Sequence, residues 1–160
     1  MRTLLYVLLL SLGLPIAAPA NAAQAMPAIA TDTEAEQWQP HRVVARVSIS
    51  RQVLEVFHEG RKLYEWPVST ARKGKITPSG KWTGAQWLSK NHRSSLYNGA
   101  PMPYAIFFNG NYAIHGTNQI SKLGRPASAG CIRLHPDHAR ILFNMVKMEG
   151  KKNLVVEVRR

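Results

Sequence analysis

"YAIFFNGNYAIHG", Tyr104 to Gly116, sets two short apolar runs on either side of Asn109-Gly110-Asn111. Asn-Gly is the strongest short hairpin signal, because both residues tolerate positive φ. The stretch therefore predicts two antiparallel strands, the second ending on His115 and Gly116. Its surroundings keep the same period. "VVARVSI" (Val43–Ile49) puts Val43, Ala45, Val47 and Ile49 on one face and Arg46 and Ser48 on the other, the pattern of a half-buried strand. "QVLEVF" and "KLYEWPV" flank the polar turn "HEGR" and form another hairpin. "KGKITPSGKW" is dense in Gly, Pro and Lys and reads as a loop, after which "KWTGAQWL" resumes a strand. A further loop runs from Gly116 to about Gly130, and "NLVVEV" ends the chain as a strand.

One helix is expected. Pro136 suits a first helical position and Asp137 the first turn, near the positive end of the helix dipole. Ala139, Leu142, Phe143 and Val146 recur at helical spacing as a core stripe, and Gly150 closes the run. The fold class that follows is mainly β, with one main helix packed on the strands after Cys131.

The chain opens with Met1-Arg2-Thr3, the apolar run "LLYVLLLSLGL" and small residues through "PIAAPANAAQA". A basic start, a short apolar centre and an Ala-x-Ala exit describe a secretory signal peptide over residues 1–22, cut after Ala22 or alternatively after Ala25. Pro15 arrives before the roughly 20 apolar residues that a transmembrane anchor needs, so no stable membrane span is expected once the segment is removed. Residues 23–40, rich in Ala, Pro, Thr and Glu, read as a linker or N-terminal arm, and residues 41–160 as one domain. The expected location is the periplasm or cell envelope.

Lys and Arg number 21 against 9 Asp and Glu, a net charge of +12 that becomes about +11 without residues 1–22. Such a surface favours polyanions. An exported protein meets envelope polymers and anionic headgroups first, so nucleic acid is not the expected partner. The charges are scattered, which suits a merely soluble basic surface equally well. The single cysteine, Cys131, forbids an internal disulfide. In an oxidising compartment it is buried and inert, paired between chains, or a working thiol.

A thiol attacks as thiolate, and needs a neighbouring base or cation to become one. Four histidines lie nearby in sequence: His92, His115, His135 and His138. His115 is the favoured partner, because it ends a predicted strand beside Gly116 and a sixteen-residue separation lets a loop return to Cys131. His135 and His138 stand at the helix start, where packing or surface roles are expected. Gly130 lets backbone approach a ligand, and consecutive N–H groups beside a nucleophile can form an oxyanion hole.

"HGT" at His115–Thr117 followed by "SAGCIRL" at Ser128–Leu134 resembles the L,D-transpeptidase catalytic domain, also called the YkuD or ErfK/YbiS/YcfS/YnhG domain. "SRQVLEVFHEGRKLYEWPVST", "TPSGKW" and "MPYAIFFNGNYAIHG" agree with it in order, and the resemblance covers about Val43 to Val158. It implies a YkuD-like β-sandwich. It further implies that Cys131 is the acyl-accepting nucleophile, His115 its general base, and the Gly116 carbonyl the group that orients the imidazole. The N–H groups of Gly130 and Cys131 would hold the oxyanion. Ser128 and Arg133 match the family's serine and arginine, Arg133 either fixing a substrate carboxylate or forming a structural ion pair. Tyr104 falls in a substrate-covering segment, as a contact or as a core aromatic. Many members carry histidine where this chain has Ala129, so a second imidazole is expected to be absent.

The reaction so implied is acyl transfer on peptidoglycan stem peptides, forming cross-links or attaching an envelope lipoprotein, with no metal or organic cofactor. An L,D-carboxypeptidase or a hydrolase of such links would use the same acyl-enzyme. Three other readings stand beside these: a buried structural thiol, a metal site from His115, Cys131, His135 and His138 whose spacing fits zinc poorly, and a non-catalytic wall-binding module.

Overall fold

The structure, a computed structural model, describes residues 43–160. The expected signal peptide, the arm and the domain's first two residues lie outside the described residues. Strands run over Val43–Ser48 (β1), Val53–His58 (β2), Arg61–Pro67 (β3), Gly80–Thr83 (β4), Trp87–Arg93 (β5), Pro101–Asn109 (β6), Tyr112–Gly116 (β7), Ile132–Leu134 (β8) and Leu154–Arg159 (β9), with one α-helix over Pro136–Glu149 (α1). They form a five-stranded sheet in the order β3-β2-β1-β9-β4 and a four-stranded sheet in the order β5-β6-β7-β8. The architecture is the mainly β sandwich that the sequence predicts.

The period-two reading of β1 holds: Val43, Ala45 and Val47 are fully buried. They join Leu54 and Val56 of β2, Ile106 and Phe108 of β6, and the helix stripe Ala139, Leu142, Phe143 and Val146 in one core. Burial of each large apolar side chain contributes about 1.5–3 kcal/mol. The helix begins as expected at Pro136, where His135 Nδ1 accepts the Asp137 N–H at 3.3 Å, and ends at Gly150 with φ 86°. It packs on β6 and β7.

"KWTGAQWL" is not one strand. Gly84, at φ 82°, breaks it into the end of β4 and the start of β5, which belong to different sheets. The break is held by Gly84 N–H donating to the Leu154 carbonyl at 2.7 Å and Ala85 N–H to the Lys151 carbonyl at 2.8 Å. Two parallel pairings, β1 with β9 and β7 with β8, also join distant segments. The β7–β8 pair creates the site, because it sets His115 opposite Arg133.

Candidate active site

Along β6 and β7, Ile106, Phe108 and Ile114 face the main core, while Ala105, Phe107 and Ala113 form a small cluster on the opposite face, against which Cys131 packs. Residue parity extends this face to His115 on β7, and to Cys131 and Arg133 on either side of Ile132. Cys131 and His115 line one cavity of about 570 Å3, within the usual range of roughly 300–1,000 Å3 for ligand sites. The helix supports the sheet from its other face, with His115 and Arg133 on strands β7 and β8 and Cys131 in the loop that leads directly into β8.

His115 is buried, and its Nδ1 lies 2.7 Å from the Gly116 carbonyl oxygen. A carbonyl only accepts, so Nδ1 carries the proton and Nε2 of the neutral ring is left with a lone pair. Burial pushes the imidazole pKa down to about 4, with the Gly116 hydrogen bond opposing and the Arg133 and His92 charges reinforcing the fall. The ring is therefore neutral at neutral pH, with the Nε2 lone pair unprotonated. Burial pushes the Cys131 thiol up, partly offset by the Ala113 backbone and the Arg133 charge. At rest the thiol donates to the Asn111 carbonyl, with sulfur and oxygen 3.6 Å apart. The cavity thus holds a neutral thiol and a neutral imidazole at neutral pH.

Gly116 leaves little room for a side chain, since a Cβ would lie 3.0 Å from Pro103 Cγ and 3.1 Å from Pro136 Cα and force those neighbours to shift. Gly130, at φ 143°, is equally constrained: a Cβ would meet Tyr112 Cε1 at 2.8 Å and the Ile76 carbonyl oxygen at 3.0 Å. Its N–H donates to Ser128 Oγ at 3.0 Å, and its carbonyl accepts from Thr77 Oγ1 at 2.7 Å. Two expectations change here. Gly130 N–H is committed within the loop, which leaves Cys131 N–H of the two expected oxyanion donors. Ser128, expected among the substrate contacts, is fully buried, and its Oγ holds the loop by accepting from Gly130 N–H.

Thr77, unassigned by the sequence reading, is the hub of this arrangement, because its Oγ1 also accepts the Ala71 N–H at 3.0 Å. The segment around it is laced to the cysteine loop: Ser69 and Arg133 exchange backbone hydrogen bonds at 3.0 Å in both directions, and Arg72 N–H donates to the Ser128 carbonyl at 2.9 Å. The motif "TPSG" carries Thr77, and only the fold could show what the threonine holds.

Arg133 lines the cavity and donates from Nη1 to Gln119 Oε1 at 3.0 Å, with no carboxylate in ion-pair range among the described residues. Arg72 lines the same wall, and among the described residues no aspartate or glutamate does. Tyr104 is not at the site: it packs on the core and edge-on to Phe143 of the helix, ring centroids 5.8 Å apart. Nor are His135 and His138, whose rings lie 5.3 Å apart at the helix start, His138 stacked on Trp66 at 4.8 Å. The four-residue metal cluster weighed from sequence is therefore not assembled, and no group of three or more such ligands occurs among the described residues. His92 does reach the cavity, so the site has a second imidazole despite Ala129.

Comparison with known proteins gives a consistent result. The YkuD family, described as the L,D-transpeptidase catalytic domain, matches residues 42–158. The YkuD protein of Bacillus licheniformis, named as an L,D-transpeptidase, is 27% identical over 60% of this chain and 54% of its own length. The YbiS protein of Escherichia coli K12, likewise named, is 29% identical over 57% of this chain and 37% of its own length. This chain thus spans about half or less of those relatives. An L,D-transpeptidase 3 from Mycobacterium tuberculosis, solved with a faropenem-derived adduct, shares the fold at a TM-score of 0.64, with 20% identity, 74% of this chain covered and 60% of the other.

Proposed function

The chain belongs to the L,D-transpeptidase catalytic-domain family, and from that premise we propose that residues 41–160 form a cysteine-dependent L,D-transpeptidase acting on peptidoglycan stem peptides. The observation that carries this reading is the shared cavity wall of Cys131 and His115, with Nδ1 of His115 fixed on the Gly116 carbonyl. His115 Nε2 takes the thiol proton as sulfur attacks the carbonyl at the L-centre of diaminopimelate in a tetrapeptide stem. The Cys131 N–H faces the developing oxyanion. The C–N bond breaks, the imidazolium protonates the departing D-alanine, and a thioester remains on Cys131. An amine from a second stem or from an envelope lipoprotein opens it. Water in that place gives the carboxypeptidase reaction.

Arg133, and Arg72 beside it, suit a carboxylate-bearing substrate, because guanidinium binds carboxylate in bidentate fashion. Removal of residues 1–22 in the envelope, with residues 23–40 as an arm, completes the proposal. The first test is covalent. A carbapenem should add once to the protein by intact mass, and Cys131→Ala should abolish the adduct. An adduct that survives the substitution overturns the assignment. Released D-alanine and cross-linked dimers from disaccharide-tetrapeptides then report the natural reaction.

A further inference from the structure

His92 lies on β5, outside every motif that carried the resemblance, yet it shares the cavity with Cys131 and His115. Strict alternation along β6 would not deliver it there. Tyr104 sits at φ 55°, and beyond it the phase of the strand changes, so that Met102 joins Ala105 and Phe107 on the cavity face. His92 is the register partner of Met102. Its ring is held edge-on by Trp87 and Phe107, with centroids 5.1 and 5.0 Å away at interplanar angles of 75° and 80°. Neither ring nitrogen has a hydrogen-bond partner among the described residues. A proton on His92 would act on His115, which places the two imidazoles within electrostatic reach.

We propose that His92 is the proton acceptor for the incoming amine, the group that favours aminolysis of the acyl-enzyme over its hydrolysis. This rests on the transpeptidase reading of Cys131 and His115. An acceptor amine arrives as an ammonium and must lose two protons to become an amide nitrogen. His115 has one free ring nitrogen, the other being fixed on the Gly116 carbonyl. His92 takes the first proton and frees the amine lone pair. That nitrogen attacks the thioester carbonyl and the C–N bond forms. The second proton passes to His115 Nε2, the C–S bond breaks, and His115 returns the proton to the Cys131 sulfur. The balance is thioester plus ammonium to amide, thiol and one proton, which His92 releases to solvent. Attack by water delivers one proton to sulfur through His115, and opening of a β-lactam by Cys131 moves one proton to the ring nitrogen. Neither of these requires His92.

The test uses His92→Gln, and His92→Phe to keep the aromatic packing. Three readouts are taken on each: carbapenem acylation, dimer formation against hydrolysis of a disaccharide-tetrapeptide, and hydroxamate formation with hydroxylamine, which is already uncharged at neutral pH. Dimer formation should fall about 100-fold in both variants, while acylation, hydrolysis and hydroxamate formation stay within about threefold of the parent. Unchanged dimer formation, an equal loss in all readouts, or a parent protein that acylates but only hydrolyses would each overturn the role of His92. Absence of acylation in the parent would instead overturn the nucleophile assignment on which it stands.

Discussion

At the scale of single residues, burial acts on both side chains of the proposed catalytic pair, lowering the His115 pKa and raising that of Cys131. His115 falls to a pKa of about 4 from an ordinary 6.5, so the unfolded chain binds a proton that the folded one refuses between those values. Stability therefore drops as pH falls from about 6.5 towards 4, and the same protonation removes the base. Carbapenem acylation should hold steady down to about pH 5 and lose half its rate near pH 4. A half-loss at the ordinary histidine value of about 6.5 would mean that His115 is not the desolvated base. Thr77 acts at one remove, through the Gly130 carbonyl. Thr77→Val keeps the shape but strands the Ala71 N–H and the Gly130 carbonyl, at about 1–3 kcal/mol for each buried group left unpaired. Denaturant midpoints should record that loss. Acylation, measured where both proteins are folded, should slow at least tenfold if Gly130 fixes the nucleophile; an unchanged rate would confine Thr77 to stability.

At the scale of elements, what could be read from the sequence was whatever obeys a local period. The alternation of Val43, Ala45 and Val47, the Asn109-Gly110 turn and the helix stripe ending at Gly150 each depend on nearby residues only, and each stands in the structure. So does the pairing of Cys131 with His115 in one cavity, since both lie beside short, patterned runs. The features that escaped are non-local or break the period. β8 is three residues long and takes its identity from β7; β5 hides behind Gly84; and the phase change at Tyr104 turns His92 inward. Motif position says nothing about which way a side chain faces, so it left Tyr104 open between substrate contact and core aromatic, and did not show that Ser128 is buried. Strand β9 shows the same limit. Its Glu157 is buried on a strand paired on both sides, with Arg46 Nε and Arg159 Nη2 each 2.9 Å away and Lys81 Nζ at 3.6 Å. Burial raises its pKa, but the three cations outweigh burial and hold it below the ordinary 4.5. A depressed carboxylate contributes stability above the unfolded value and loses it as pH falls through the folded one. Glu157→Gln should cost about 1–3 kcal/mol at neutral pH, and the gap from the parent should close below about pH 4. A constant gap across pH would assign the cost to packing.

At the scale of the whole molecule, charge and chemistry separate. The net charge of +12 is spread along the sequence, whereas the proposed nucleophile depends on local contacts: Cys131 Sγ on the Asn111 carbonyl, Thr77 on the Gly130 carbonyl beside it, and the Gly116 carbonyl on His115. Exposed charges act over a Debye length of about 10 Å at 0.1 M salt and less as salt rises. A polymer bearing many carboxylates meets many lysines and arginines at once, so its capture is the step most sensitive to screening. A small β-lactam meets only the cavity, where the guanidinium of Arg133 is half-buried and screened far less. Sedimentation with isolated sacculi should therefore show binding that weakens several-fold between low and high salt, while carbapenem acylation changes by less than about twofold. Charge-reversing the exposed helix residues Arg140 and Lys147 together should weaken sacculus binding at low salt and leave acylation intact, because both project from an element packed on the far side of the sheet from the cavity. If sacculus binding proved indifferent to salt and to both reversals, the basic surface would serve solubility, and the shape of the cavity would have to supply the affinity for the wall.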